Sequence, residues 1–298
     1  MCLQGTMMNN TEATNITNST SSPQFREPFR NTLIAIYSIV LLAGSTGLTV
    51  MMSILKTNIR SLTTTVFLNL MVAHFLFLLT VPFRIYYYVS QKWHLPHALC
   101  KMVSAMIHIH MYMVFVIYAI VLTLRFLQYY KKTQRTEFYR RLHAMCASAC
   151  LWSILLVVML PTVLSQYGHK EKDQDTDHCF NFDDVLSVKG IYALNMTLSI
   201  FIAVVSFVLT CFQTIVLCSL LRKHGASSRF QQEFWVQMKN LCFVFIMLIC
   251  LVPYHLFRIH YLNETTKPHE INEVFLAITA LTCCDMLTFT GKGMCHMC

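Results

Sequence analysis

Charge is what this sequence has least of. Asp, Glu, Lys and Arg make up 12% of its 298 residues, about half the share of a soluble chain, so an ordinary water-facing globule is excluded. Glycine is sparse too, at 8 residues. No pair of glycine-broken helices and no inverted repeat of the kind that builds secondary transporters is visible. Enzyme signatures are missing: there is no H-E-x-x-H, no G-x-S-x-G and no phosphate-binding glycine loop. The first thirty residues are polar, so no cleavable signal peptide is read there, and the first apolar segment is expected to act as the insertion signal.

What the chain has in excess is apolar residues, 55% of the total. They come in seven blocks, about 32–55, 65–89, 98–130, 142–165, 188–221, 231–262 and 271–289. Each is near the ~20 residues a helix needs to cross a bilayer. The expected fold is an all-α membrane protein, a seven-transmembrane helix bundle. Residues 1–31 read as an extracellular, glycosylated, disordered tail, 32–289 as the bundle and 290–298 as a short cytoplasmic tail.

The formal charge of +9 invites a nucleic-acid reading, so its placement matters. With the N-terminus outside, the inner loops and helix ends hold thirteen cations, among them Arg125, Lys131, Lys132, Arg222 and Lys239, against only Glu137 and Glu233. The outer side holds ten cations and eleven acids. Lys and Arg accumulate on the cytoplasmic side of short loops, which puts the N-terminus outside and the C-terminus inside. These charges flank spans, so no nucleic-acid partner is expected. Asn9, Asn15, Asn18 and Asn263 sit in glycosylation sequons that fall outside under the same topology. Of 13 cysteines most lie within spans, where a free thiol is a packing group. Cys100 and Cys179 lie at the oxidising outer side and form the natural disulfide pair.

Arg125 ends a long apolar run, "VLTLRFLQYYKK". It lies 25 residues after Cys100, about 37 Å along a helix, which brings it to the cytoplasmic edge. An arginine at such a depth is a functional candidate, although snorkelling to the interface is the bland alternative.

Seven spans, the two outer cysteines and an arginine at this spacing resemble the rhodopsin-like G-protein-coupled receptors. "NLMVAHFLFLLTVPF", Trp152, "CLVPYH" and "DMLTF" resemble the signatures of their second, fourth, sixth and seventh helices. The resemblance implies a plasma-membrane, multi-pass receptor with a heterotrimeric G protein and an extracellular ligand as partners, no enzymatic activity and no cofactor. It also implies that Arg125 passes from a resting-state lock to contact with the G protein. The departures are informative. Leu124 and Phe126 flank the arginine where the family has an acid and a tyrosine. His74 replaces the second-helix aspartate, Leu48 the first-helix asparagine, Leu251 the sixth-helix tryptophan and Met286 the seventh-helix proline. With no acid at Leu124, Glu233 is the expected partner of Arg125, because it lies 20 residues before Pro253, about 30 Å down a helix.

Against this resemblance, Ile107 excludes an amine-binding aspartate and Thr279 a retinal lysine. The outer half offers Arg84, His108, His255 and Arg258 instead. His255 and Arg258 are three apart and share a helix face, and arginine suits carboxylate or phosphate. An anionic lipid or nucleotide is the expected ligand. The acidic segment Glu171–Asp184 opposes this and would favour a basic peptide. "HIH" at 108–110 places its histidines on different faces; one is assigned to the pocket, the other to packing, and no metal site is read. Related receptors hold sodium in mid-bundle where this chain has His74, Val114 and Asp285. His74 and Asp285 are expected to face each other and share protonation in its place. The competing functional reading is a non-signalling scavenger or heteromer partner with degenerate switches.

Overall fold

The computed structural model describes residues 26–55, 62–130, 148–154, 156–157, 179–180, 189–224, 232–263 and 269–290. They form α1 (Glu27–Leu55), α2 (Leu62–Leu78), α3 (Val81–Ser90), α4 (His97–Tyr130), α5 (148–154) and α6 (Lys189–His224). After these come α7 (Gln232–Ile246), a π turn (Met247–Leu251), α8 (Val252–Asn263), α9 (His269–Ala280) and a 3₁₀ segment (Leu281–Thr290). Six stretches among the described residues are long and apolar enough to cross a membrane. α5 lies in the fourth apolar block, most of which falls outside the described residues. Helix α1 starts at Glu27, ahead of the boundary expected at 32.

Helices are what a lipid environment demands, since each satisfies its own backbone. The side chains sort accordingly. Leu42, Phe207 and Ile249 stand exposed toward the lipid side, while Leu33, Tyr37, Val40 and Met51 of α1 are buried at spacings that draw one stripe along the helix. Gly44 and Gly47 continue that stripe. A Cβ on Gly47 would stand 2.9 Å from the Met286 Cβ, and one on Gly44 3.2 Å from that of Cys283. Small residues here let the first and seventh spans approach closely. The hydroxyls of α1 are satisfied locally: Ser45 donates to the Leu41 carbonyl at 2.6 Å and Thr46 to that of Leu42 at 2.8 Å.

Two spans are broken where proline dictates. Pro82 cannot donate and its ring clashes with the carbonyl four residues back, so α2 stops at Leu78. Thr80 then bridges to α3, its hydroxyl donating to the Phe77 carbonyl at 2.6 Å. Pro253 acts likewise on the sixth span, where the turn before it widens into the π turn and the Val252 N–H donates to the Met247 carbonyl. The seventh span tightens to 3₁₀ geometry at Leu281. Its burial repeats every three residues, as that geometry requires: Thr282, Cys283, Asp285 and Met286 are buried, while Leu281, Cys284 and Leu287 are not. This puts Cys283 and Asp285 together in the bundle interior.

Candidate functional site

At one end of the bundle Cys100 and Cys179 are joined in a disulfide, with their Cα atoms 5.9 Å apart across 79 residues of sequence. The bond delivers Phe180 into the bundle. This residue has a φ of 69°, an uncommon conformation for a non-glycine, and His269 Nε2 donates to its carbonyl at 3.1 Å. Its ring meets those of Tyr87 and Trp93 at 5.0 and 6.0 Å and covers the Arg84 guanidinium at 4.3 Å. Cys100→Ser should therefore lose both the loop anchor and the Phe180 plug. We expect strongly reduced surface expression, in keeping with the ~2–5 kcal/mol a native disulfide contributes. Wild-type surface levels by immunoassay on intact cells would contradict this.

Arg84 is 0% exposed, and its charge is answered by an acid that sequence reading did not single out. Glu273 on α9, also 0% exposed, places Oε2 3.8 Å from Arg84 Nη1. The same carboxylate oxygen accepts from the Tyr88 hydroxyl at 2.9 Å. Arg84 also donates to the Tyr37 hydroxyl at 3.2 Å and the Val103 carbonyl at 3.4 Å. Of the four residues expected in the pocket, Arg84 thus belongs to an internal ion pair.

Arg258 is placed differently. It is 6% exposed and donates from Nη1 to Asn272 Oδ1 at 3.2 Å. Its Nε has no hydrogen-bond partner, and no carboxylate is paired with it among the described residues. His255, one turn earlier, holds Ser199 Oγ at 3.3 Å through Nδ1, and its Nε2 is likewise buried and unpartnered. His108 Nδ1 donates to the carbonyl of Ser104 on its own helix at 3.0 Å. Two nitrogens on one face of α8 are thus left without hydrogen-bond partners among the described residues.

In mid-bundle His74 and Asp285 meet: Nε2 lies 3.0 Å from Oδ1, with both residues buried. The Tyr118 hydroxyl donates to Asp285 Oδ2. His74 Nδ1 lies 2.8 Å from His110 Nε2, and Cys283 Sγ lies 3.5 Å from each of those two nitrogens. His110, assigned to packing by its sequence neighbourhood, is buried with Phe77 stacked on its ring at 4.4 Å, and it reaches His74 and Cys283 as well. Val114 is fully buried nearby on α4. Each carboxylate oxygen already accepts from a donor, and the neighbouring His74, His110, Cys283 and Val114 supply no oxygen ligand of the kind a hard cation wants. Exchanging sodium for choline at constant ionic strength should leave the melting temperature of the purified chain unchanged. A sodium-dependent rise would contradict that.

Toward the end of α4 opposite Cys100, Arg125 is half-buried and close enough to Lys239 for the two cations to interact. α7 carries Glu233, whose side chain lies outside the described residues, so its pairing with Arg125 is not placed. The Gln213 amide of α6 donates to Gln237 Oε1 at 2.8 Å, and Asn240 donates to the same oxygen at 3.2 Å. This clasp between the fifth and sixth spans was invisible in the sequence pattern. On the second span Asn69 Oδ1 accepts from Trp152 Nε1 at 3.0 Å and from Ser148 Oγ at 2.5 Å. Asn9, Asn15 and Asn18, the side chain of Asn263 and the acids of 171–178 and 183–184 lie outside the described residues.

Comparison with known proteins adds to this geometry. The family described as 7 transmembrane receptor (rhodopsin family) matches residues 46–286. The chain is 40% identical over 270 residues to Probable G-protein coupled receptor 141 of Homo sapiens, covering 88% of each. It is 26% identical over 231 residues to 2-oxoglutarate receptor 1 of Rattus norvegicus, covering 76% of this chain and 67% of that receptor. To the N-arachidonyl glycine receptor of Homo sapiens it is 22% identical over 237 residues, covering 77% and 70%.

Proposed function

Because the chain belongs to the rhodopsin family of seven-transmembrane receptors, a family of membrane receptors rather than enzymes, we infer that it is a plasma-membrane receptor, N-terminus outside, that passes the binding of an extracellular anionic ligand to a heterotrimeric G protein. The observation that carries the ligand class is Arg258. A guanidinium nine-tenths buried, with Nε unpartnered beside an unpartnered His255 Nε2, is costly unless an acceptor arrives. A carboxylate or phosphate supplies one, bidentately for arginine. Arg84, neutralised by Glu273, buttresses the pocket, and His108 lines it from the third span. Two of the relatives are named for carboxylate-bearing molecules, 2-oxoglutarate and N-arachidonyl glycine. The direct test is a panel of carboxylate and phosphate lipids and nucleotides applied to cells expressing the chain. An active member of the panel should lose potency by about 10–100-fold with Arg258→Ala, the equivalent of ~1.5–3 kcal/mol for a charge-assisted hydrogen bond. Equal potency on the variant, or activity confined to basic peptides, overturns the anionic reading.

On the inner side the reading gives Arg125 the G-protein contact and Glu233 the resting-state lock. Glu233→Gln should raise basal G-protein signalling, since the cations Arg125 and Lys239 then lose the acid that the sequence places nearest them on α7. Unchanged basal signalling would remove the lock. A non-signalling scavenger is the alternative. The altered residues Leu124, Phe126 and Leu251 favour it, and it predicts that no G protein responds to either variant.

A further inference from the structure

We propose that His74, His110 and Cys283 form a site for a zinc-class transition-metal ion that staples the second, third and seventh spans together in mid-bundle. Three donor atoms converge there: His74 Nδ1, His110 Nε2 and Cys283 Sγ, all buried and all within 4.8 Å of one another. Tetrahedral zinc holds nitrogen at ~2.0–2.1 Å and thiolate sulfur at ~2.3 Å, which places N and S about 3.5 Å apart and N and N about 3.3 Å apart. Both nitrogen–sulfur edges already measure 3.5 Å. The nitrogen–nitrogen edge, at 2.8 Å, needs to open by about 0.5 Å.

The surroundings have the form that metal ligands take. Asp285 holds the far nitrogen of His74 at 3.0 Å, the carboxylate–histidine–metal arrangement that fixes the tautomer and leaves the near nitrogen bare. Phe77 stacks on His110 and sets its plane. One imidazole proton is available between His74 and His110, and His110 Nε2 spends it on His74 Nδ1 at 2.8 Å. This shared proton is what the ion would replace, while His110 Nδ1 is buried without a hydrogen-bond partner in either state. Loading the site releases one proton. The Cys283 thiol gives its proton to water as the sulfur–metal bond forms, and the His110 proton passes from Nε2 to Nδ1. A divalent ion is then neutralised by one thiolate and the Asp285 carboxylate, which makes a cation tolerable at this depth. Two imidazoles and a thiolate select zinc, cobalt or copper over sodium, magnesium or calcium.

The test uses the full-length chain, purified in nanodiscs and stripped with a chelator, with cobalt(II) as the spectroscopic probe and zinc as competitor. The expected result is a thiolate-to-cobalt charge-transfer band that saturates at one equivalent and is displaced by zinc, with an upward shift in melting temperature on zinc addition. Cys283→Ser and His110→Gln should abolish both, Cys284→Ser should keep both, and Asp285→Asn should weaken zinc by about 10–100-fold. Absence of the band in the wild-type chain overturns the proposal without reliance on any variant. A band that survives Cys283→Ser places the metal on another thiol and overturns it too.

Discussion

Glu273→Ala should leave little of the protein at the cell surface. The substitution strips the counter-charge from Arg84, a guanidinium with no exposure to water. Breaking a buried ion pair by removing one member costs about 3–5 kcal/mol, against a total stability of only about 5–15 kcal/mol. It also removes the carboxylate oxygen that accepts from the Tyr88 hydroxyl. The reverse substitution, Arg84→Ala, should be comparably damaging, because it removes the Arg84 counter-charge from the buried Glu273 carboxylate and the surface on which Phe180 rests. The double variant Arg84→Met with Glu273→Gln should recover most of the loss: both charges are gone, the volume is kept, and Tyr88 retains an acceptor. Surface immunoassay and thermal melting of the four forms would check this. Single variants as stable as wild type would show that the pair contributes nothing.

Asp285→Ala should be as severe, for a different reason. The carboxylate accepts from both His74 and Tyr118, so its removal strands two buried donors, each costing about 1–3 kcal/mol. It also frees His74 to rotate away from His110. Asp285→Asn keeps one accepting oxygen and should fall between alanine and wild type. If alanine and asparagine melt together at the wild-type temperature, the three-residue network is not what holds the second, third and seventh spans in register.

Six of the seven expected spans stand as long apolar helices among the described residues, and they were legible because lipid imposes a length and a composition that no soluble helix needs to match. The kinks at Pro82 and Pro253 were marked by residues that cannot continue a helix, although the π turn ahead of Pro253 had no mark of its own. The 3₁₀ segment was hidden: "LTCCDMLTFT" reads as one more apolar stretch, and only the three-residue burial rhythm distinguishes it. Cys100 and Cys179 stood out because they flank spans on one side. Glu273 did not, since an acid near a helix start is ordinary until Arg84 is found facing it from another span. His110 was judged against His108, its neighbour in sequence, whereas His74 and Cys283, its neighbours in space, lie on other spans. Arg258 was legible as a cation. That its Nε lacks an acceptor was not.

The measurement that tests the central claim most directly is nucleotide exchange on purified heterotrimeric G proteins by the chain in nanodiscs, compared with Arg125→Ala, across the main G-protein classes. The account predicts exchange above the empty-nanodisc level with at least one class, falling to that level when Arg125 is replaced while folding, read by thermal melting, is retained. Exchange at the empty-nanodisc level with every class, in the presence of a ligand shown to bind at Arg258, would contradict it.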